Sequence, residues 1–225
     1  ADNRRQSNKH PAKLTGNHNA KPLKHTVTRY CGVLRRMGYV FPKPEPATKP
    51  MLVNPMGEKK GTWIGFAPFS AHAGKTYPKD MSEELIALLS QRYDRVFIHS
   101  GGGEEAKFAE SMEAKYSNVT ALWSRLKMSQ ERDLISHLDC VITMDSFVMH
   151  LASLVATPAV TIWGATHPEF GFLGYGLDEK GVLQVELPCR PCSVYGKKPC
   201  KGGTYKCLRA ITPQMVVDKL EEMLK

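Results

Sequence analysis

From residue 61 onward the chain alternates short β-rich runs with helical patterns, and this constrains its fold more than any other feature of its 225 residues. The runs lie at 62–67, 95–99, 119–122, 140–144, 159–163 and 182–185. Helical patterns fill 81–91, 104–116, 129–138 and 147–155, and Thr212 with Pro213 opens a last helix as cap and first-turn residue. Strands separated by helices of about ten residues pair in parallel through right-handed crossovers. The expected fold class is therefore α/β, a Rossmann-like doubly wound parallel sheet. In such a sheet ligands sit outside the carboxyl ends of the strands.

Charge separates this region from what precedes it. The formal net charge is +9, yet Lys and Arg outnumber Asp and Glu by 13 to 3 in residues 1–60 and stand at 18 to 19 in the rest. A nucleic-acid-binding face spread over the fold is not indicated. Residues 1–21 are polar and basic, the composition of a disordered leader, and they lack the apolar core of a signal peptide. From Leu23, apolar residues recur at Val27, Tyr30, Leu34 and Met37, one stripe of a helix that Gly38 can close, with Lys24, Arg29, Arg35 and Arg36 around it. The stripe is expected to pack on the chain's own fold, although a basic amphipathic helix also suits a membrane surface or a partner domain. Five prolines (Pro42, Pro44, Pro46, Pro50 and Pro55) then make a stiff connection. The expected division is a leader at 1–21, linker helix and Pro-rich connection at 22–60, and the Rossmann-like domain at 61–225. No apolar run is long enough to span a bilayer, and cytoplasmic residence is expected.

Four strand ends carry chemistry. Pro68 to Pro78 is a small-residue loop in which Ser70 and Lys75 suit an anion; its glycine spacing is not that of a Walker loop. Ser100-Gly101-Gly102-Gly103-Glu104-Glu105 combines glycines that permit close approach with carboxylates able to accept from ribose hydroxyls, or simply favoured in a first helical turn. Asp145 and Ser146 would cap a helix at the sheet's edge and offer its N–H groups to a diphosphate, with His150 one turn on. After Trp163-Gly164-Ala165-Thr166, His167 either flanks a base or sugar together with Trp163 or is a surface residue beside a core tryptophan.

These pieces in this order resemble glycosyltransferase family 9, the heptosyltransferases of lipopolysaccharide core assembly. Asp145-Ser146-x-x-Met149-His150-Leu151-Ala152, Trp163-Gly164-Ala165-Thr166-His167-Pro168 and the cysteines before Ile211-Thr212-Pro213 carry the resemblance, which spans 22–225. It implies the C-terminal, donor-binding half of a two-domain GT-B enzyme that inverts the anomeric centre of an ADP-heptose-like donor. It also implies that Lys75 meets the donor phosphates and stabilises the leaving diphosphate, that Glu104 or Glu105 holds the ribose, and that Met128 lies beside the adenine. Ser70 belongs to the first loop, and Asp145, Ser146 and His150 surround the diphosphate and sugar. Phe147 and Val148 depart from the commoner Gly-Pro at their positions. The family's acceptor domain, with its carboxylate general base, has no room in the 60 residues before Gly61. The implied lipopolysaccharide acceptor would therefore be held by a domain absent here, at the inner face of the inner membrane.

Cys189-x2-Cys192-x7-Cys200-x6-Cys207 could hold zinc through four thiolates, form disulfides, or pack as free thiols, with the no-metal readings preferred. Cys31 and Cys140 are expected in the core. No cofactor is required by the transferase reading. The competing reading is a non-enzymatic nucleotide-binding or zinc-stabilised module whose basic leader binds nucleic acid, which predicts steep salt dependence. A nicotinamide oxidoreductase fits less well, because no G-x-G-x-x-G opens the first helix.

Overall fold

The computed structural model describes residues 22–225, so the leader at 1–21 lies outside the described residues. Six parallel strands form one sheet: β1 (Trp63–Ala67), β2 (Arg95–Ile98), β3 (Val119–Ala121), β4 (Cys140–Met144), β5 (Ala159–Ile162) and β6 (Val182–Leu183). Their spatial order is β3-β2-β1-β4-β5-β6. The chain winds outward from β1 to β3, then returns to β4 on the other side of β1 and winds outward again. The order reverses between β1 and β4, and there the crossovers diverge and leave a crevice.

Alternation along each strand builds two cores. Ile64 and Phe66 of β1, with Val96 and Ile98 of β2, join Leu85 and Leu89 of α2 (Lys79–Arg92), Phe108 and Met112 of α3 (Glu104–Lys115), and Val216 and Leu220 of the C-terminal helix Pro213–Met223. On the opposite face Trp63, Phe97 and Val141 join Leu134 and Leu138, at α4 (Met128–His137), with Leu151 and Ala152 of α5 (Phe147–Leu154). The C-terminal helix begins as the sequence implies: Thr212 Oγ1 accepts the Met215 N–H at 3.2 Å, and Pro213 occupies the first turn. Cys31 and Cys140 are buried as expected, and burial pushes the Cys140 thiol up to about 12.

The linker helix α1 (Thr26–Arg36) corrects one expectation. Only Cys31 is buried on it; of the apolar stripe, Leu23 and Val27 are half-buried, while Tyr30, Leu34 and Met37 are exposed, as is Val33 beside them. The helix is held by its first turn instead. Thr26 donates from both N and Oγ1 to Gly171 O, and His25 bridges the Val27 N–H and Leu173 O. The connection that follows is fastened to the body by Tyr175 Oη donating to Pro44 O and by His137 bonding Leu52 O. Among the described residues no helix is long and apolar enough to cross a membrane.

Candidate functional site

A cavity of about 530 Å³ opens at the β1–β4 switch point, and Ser70, Lys75, Glu105, Asp145, Ser146 and His150 all line it. Three separate strand ends supply these residues. The β1 loop is braced by Thr76, whose Oγ1 accepts the Ser70 N–H and lies within 3.2 Å of the Ser70 and His72 carbonyls. A single 3-10 turn, Ala73–Lys75, then turns Lys75 inward. Its Nζ lies 3.2 Å from Asp145 Oδ2. Both side chains are largely buried, at 16% and 7% exposure, so this is a cation and an anion facing each other with little access to solvent.

Asp145 and Ser146 do not cap α5 in the expected way. Ser146 stands at the cap position, but its Oγ pairs with Thr143 Oγ1 at 3.2 Å, and no side chain bonds the first turn. The early N–H groups of α5, which an α-helix cannot satisfy internally, are left for an anion at the cavity edge. His150 is exposed at the rim, yet desolvation by its neighbours lowers its pKa; Lys75 and His25 push the same way and Asp145 opposes them.

A second cavity of about 390 Å³ adjoins the first and shares Ser100, Glu131 and Phe147 with it. Leu122, Trp123, Leu126 and Met128 make its remaining wall mostly apolar, as a nucleobase requires. The glycines before α3 serve this wall rather than a ligand alone: a Cβ on Gly102 would come within 2.7 Å of the Trp123 ring. Of the two acidic residues there, Glu105 faces the first cavity and accepts the Gly101 N–H at 2.7 Å. Glu104 turns outward and pairs with Lys107 in solvent, because the first position of α3 points away from the crevice.

Sequence reasoning passed over two side chains. His99, just past β2, is 2% exposed, and its Nδ1 lies 2.7 Å from Glu131 Oε1 on α4. Glu131 sits in a first helical turn, where a carboxylate is unremarkable from sequence alone, so nothing local marks it out. Gly65 on β1 makes room for the pair, since a Cβ there would meet His99 Nε2 at 3.0 Å and Leu138 Cδ1 at 2.7 Å.

The last loop does not join this cavity. Trp163 is fully buried and donates from Nε1 to Thr161 Oγ1. His167, 8% exposed, is neither a surface residue nor a flank of the cavity; its Nδ1 accepts the Glu169 N–H. Behind them, buried Arg190 donates to the carbonyls of Gly164, Thr166 and Val185 and to Gln184 Oε1. All six cysteines are free, and among the described residues no group of three or more His, Cys, Asp or Glu side chains is arranged to hold a metal. Backbone groups around Tyr205 and Gly202 hold the Cys200 thiol below its ordinary value, whereas burial raises Cys192 and Cys207.

The model of glycosyltransferase family 9 (heptosyltransferase) matches residues 4–201. The chain belongs to glycosyltransferase family 9. Among curated relatives of this family 9 chain, lipooligosaccharide heptosyltransferase 2 of Haemophilus influenzae is 30% identical over 167 residues, covering 72% of the chain and 47% of the relative. A solved glycosyl transferase family 9 protein from Veillonella parvula superposes with TM-score 0.67 at 17% identity, covering 89% of this chain and 60% of that one. The E. coli heptosyltransferase WaaC, solved with ADP, superposes with TM-score 0.54 at 21% identity, covering 72% and 44%. The family 9 chain thus spans about half the length of the curated relatives it matches.

Proposed function

We propose that this chain is the donor-binding half of an inverting heptosyltransferase of lipopolysaccharide core assembly, holding an ADP-heptose-like nucleotide sugar in the two joined cavities. The observation that carries the reading is Lys75 beside the uncapped N-terminus of α5 at the switch point. A diphosphate seated there meets one point charge and several N–H donors, all fixed before the reaction begins. As the glycosidic C–O bond breaks, negative charge grows on the diphosphate, and these groups stabilise it more than they stabilise the intact donor. The base then lies against Met128 and Trp123, with Glu105 at the ribose. Family membership and a structural relative solved with ADP support the choice of nucleotide.

The acceptor and the base that deprotonates its hydroxyl belong, in this reading, to sequence outside this chain, and the assembled enzyme works at the cytoplasmic face of the inner membrane. Calorimetry of the 225-residue chain against ADP, GDP, UDP and NAD tests the first part: ADP should bind and NAD should not. Heptose transfer should be negligible until an acceptor half from a family relative is supplied. Robust transfer by the chain alone would overturn that division of labour.

A further inference from the structure

The carboxylate of Glu131 has no role in the reading above, yet it stands where the two cavities meet. It is one of three residues common to both walls, its side chain is 23% exposed, and only Oε1 is engaged among the described residues. The group engaging it is rigid. The His99 ring is buried, its Nδ1 faces Glu131, and its Nε2 is buried with no hydrogen-bond partner. An unpartnered N–H in that position would cost more than an unpartnered lone pair, so the ring proton belongs on Nδ1, donated to the carboxylate. Beside them Ser100 Oγ, also on both walls, is likewise buried without a partner. Two unsatisfied polar atoms and a half-engaged carboxylate thus gather where the two cavities adjoin.

Resting on the proposed nucleotide site, we infer that Glu131 takes the 2′-hydroxyl of the donor's ribose, and that His99 is a positioning residue for it. The assignment follows from the walls. Glu105 lines only the phosphate-side cavity, whereas Glu131 also lines the side facing Trp123 and Met128. In a ribose with its diphosphate at Lys75 and its base against Met128, C2′ adjoins the base-bearing carbon and C3′ lies toward the phosphate. Glu131 therefore meets the 2′-hydroxyl and Glu105 the 3′-hydroxyl. A carboxylate accepts well from a hydroxyl and repels an anion, so the site selects a ribonucleotide and rejects one bearing a 2′-phosphate.

Calorimetry with ADP, 2′-deoxy-ADP and 3′-deoxy-ADP tests this on the full chain. The wild type should bind ADP about tenfold more tightly than 2′-deoxy-ADP. Glu131→Leu should weaken ADP and 3′-deoxy-ADP by about tenfold and leave 2′-deoxy-ADP nearly unchanged. His99→Leu should lose part of the same discrimination, and His99→Asn, whose amide can donate from near the Nδ1 position, should restore it. Equal weakening of all three ligands by Glu131→Leu and His99→Leu, or an effect that follows the 3′-hydroxyl, would overturn the assignment. A wild-type chain that binds no ADP would overturn the nucleotide site itself, whereas tight ADP binding indifferent to the 2′-hydroxyl would overturn only the role of Glu131.

Discussion

At the scale of single residues, the candidate site sets Lys75 against Asp145, 70 positions apart in sequence and 3.2 Å apart in space. Removing one partner of a pair this well buried leaves the other charge uncompensated. Lys75→Met should therefore cost roughly 2 kcal/mol of stability in urea unfolding, and should weaken ADP binding in calorimetry at least tenfold. Adding Asp145→Asn should recover most of the stability and none of the affinity, which separates the two roles of the lysine. His150 makes a second prediction. Its folded pKa lies below the unfolded value of 6.5, so the unfolded chain binds the extra proton first as pH falls. The stabilising contribution is present above 6.5 and is lost as pH drops through the lowered folded value. Melting curves recorded from pH 7.5 to 5 should show a steeper decline for the wild type than for His150→Gln.

At the scale of elements, the Arg190 side chain ties the loop after β5 to the stretch beyond β6. Arg190 reaches four acceptors on two stretches of chain, and burial depresses its pKa without removing the charge. Arg190→Met keeps the volume but leaves those acceptors unsatisfied, and should lower stability by about 2–4 kcal/mol in denaturant unfolding. Nothing in the Cys189-Arg190-Pro191 sequence marks this role, because it depends on carbonyls 24 and 26 residues earlier. By contrast, Thr212 and Pro213 announce their helix in sequence, since capping is local chemistry. The same contrast runs through the candidate site. The small-residue loop with Lys75 and the Asp145-Ser146 strand end are recognisable as they stand. Which of Glu104 and Glu105 faces inward depends on how α3 is rotated against the sheet, and only packing fixes that rotation.

At the scale of the whole molecule, the excess of positive charge and the unpacked stripe of α1 lie in the same stretch of chain. Tyr30, Val33, Leu34 and Met37 are exposed although their spacing is that of a packed face. Replacing Tyr30 and Met37, 67% and 66% exposed, by Lys and Gln should change the stability of this chain by less than about 0.5 kcal/mol in denaturant unfolding, because little burial is lost. A fall of several kcal/mol would show that the stripe is packed after all.

The succession of strands and helices, the parallel sheet, the loop carrying Lys75 and the cap at Thr212 could all be inferred before any coordinates. Each rests on periodicity or on hydrogen bonds within a few residues, and these act over short stretches of chain. The pairing of Lys75 with Asp145, the His99–Glu131 contact made possible by Gly65, the inward turn of His167 and the outward face of α1 could not. Each depends on which surfaces of distant elements meet. That is decided by how two cores close around one sheet, and no local stretch of sequence contains it.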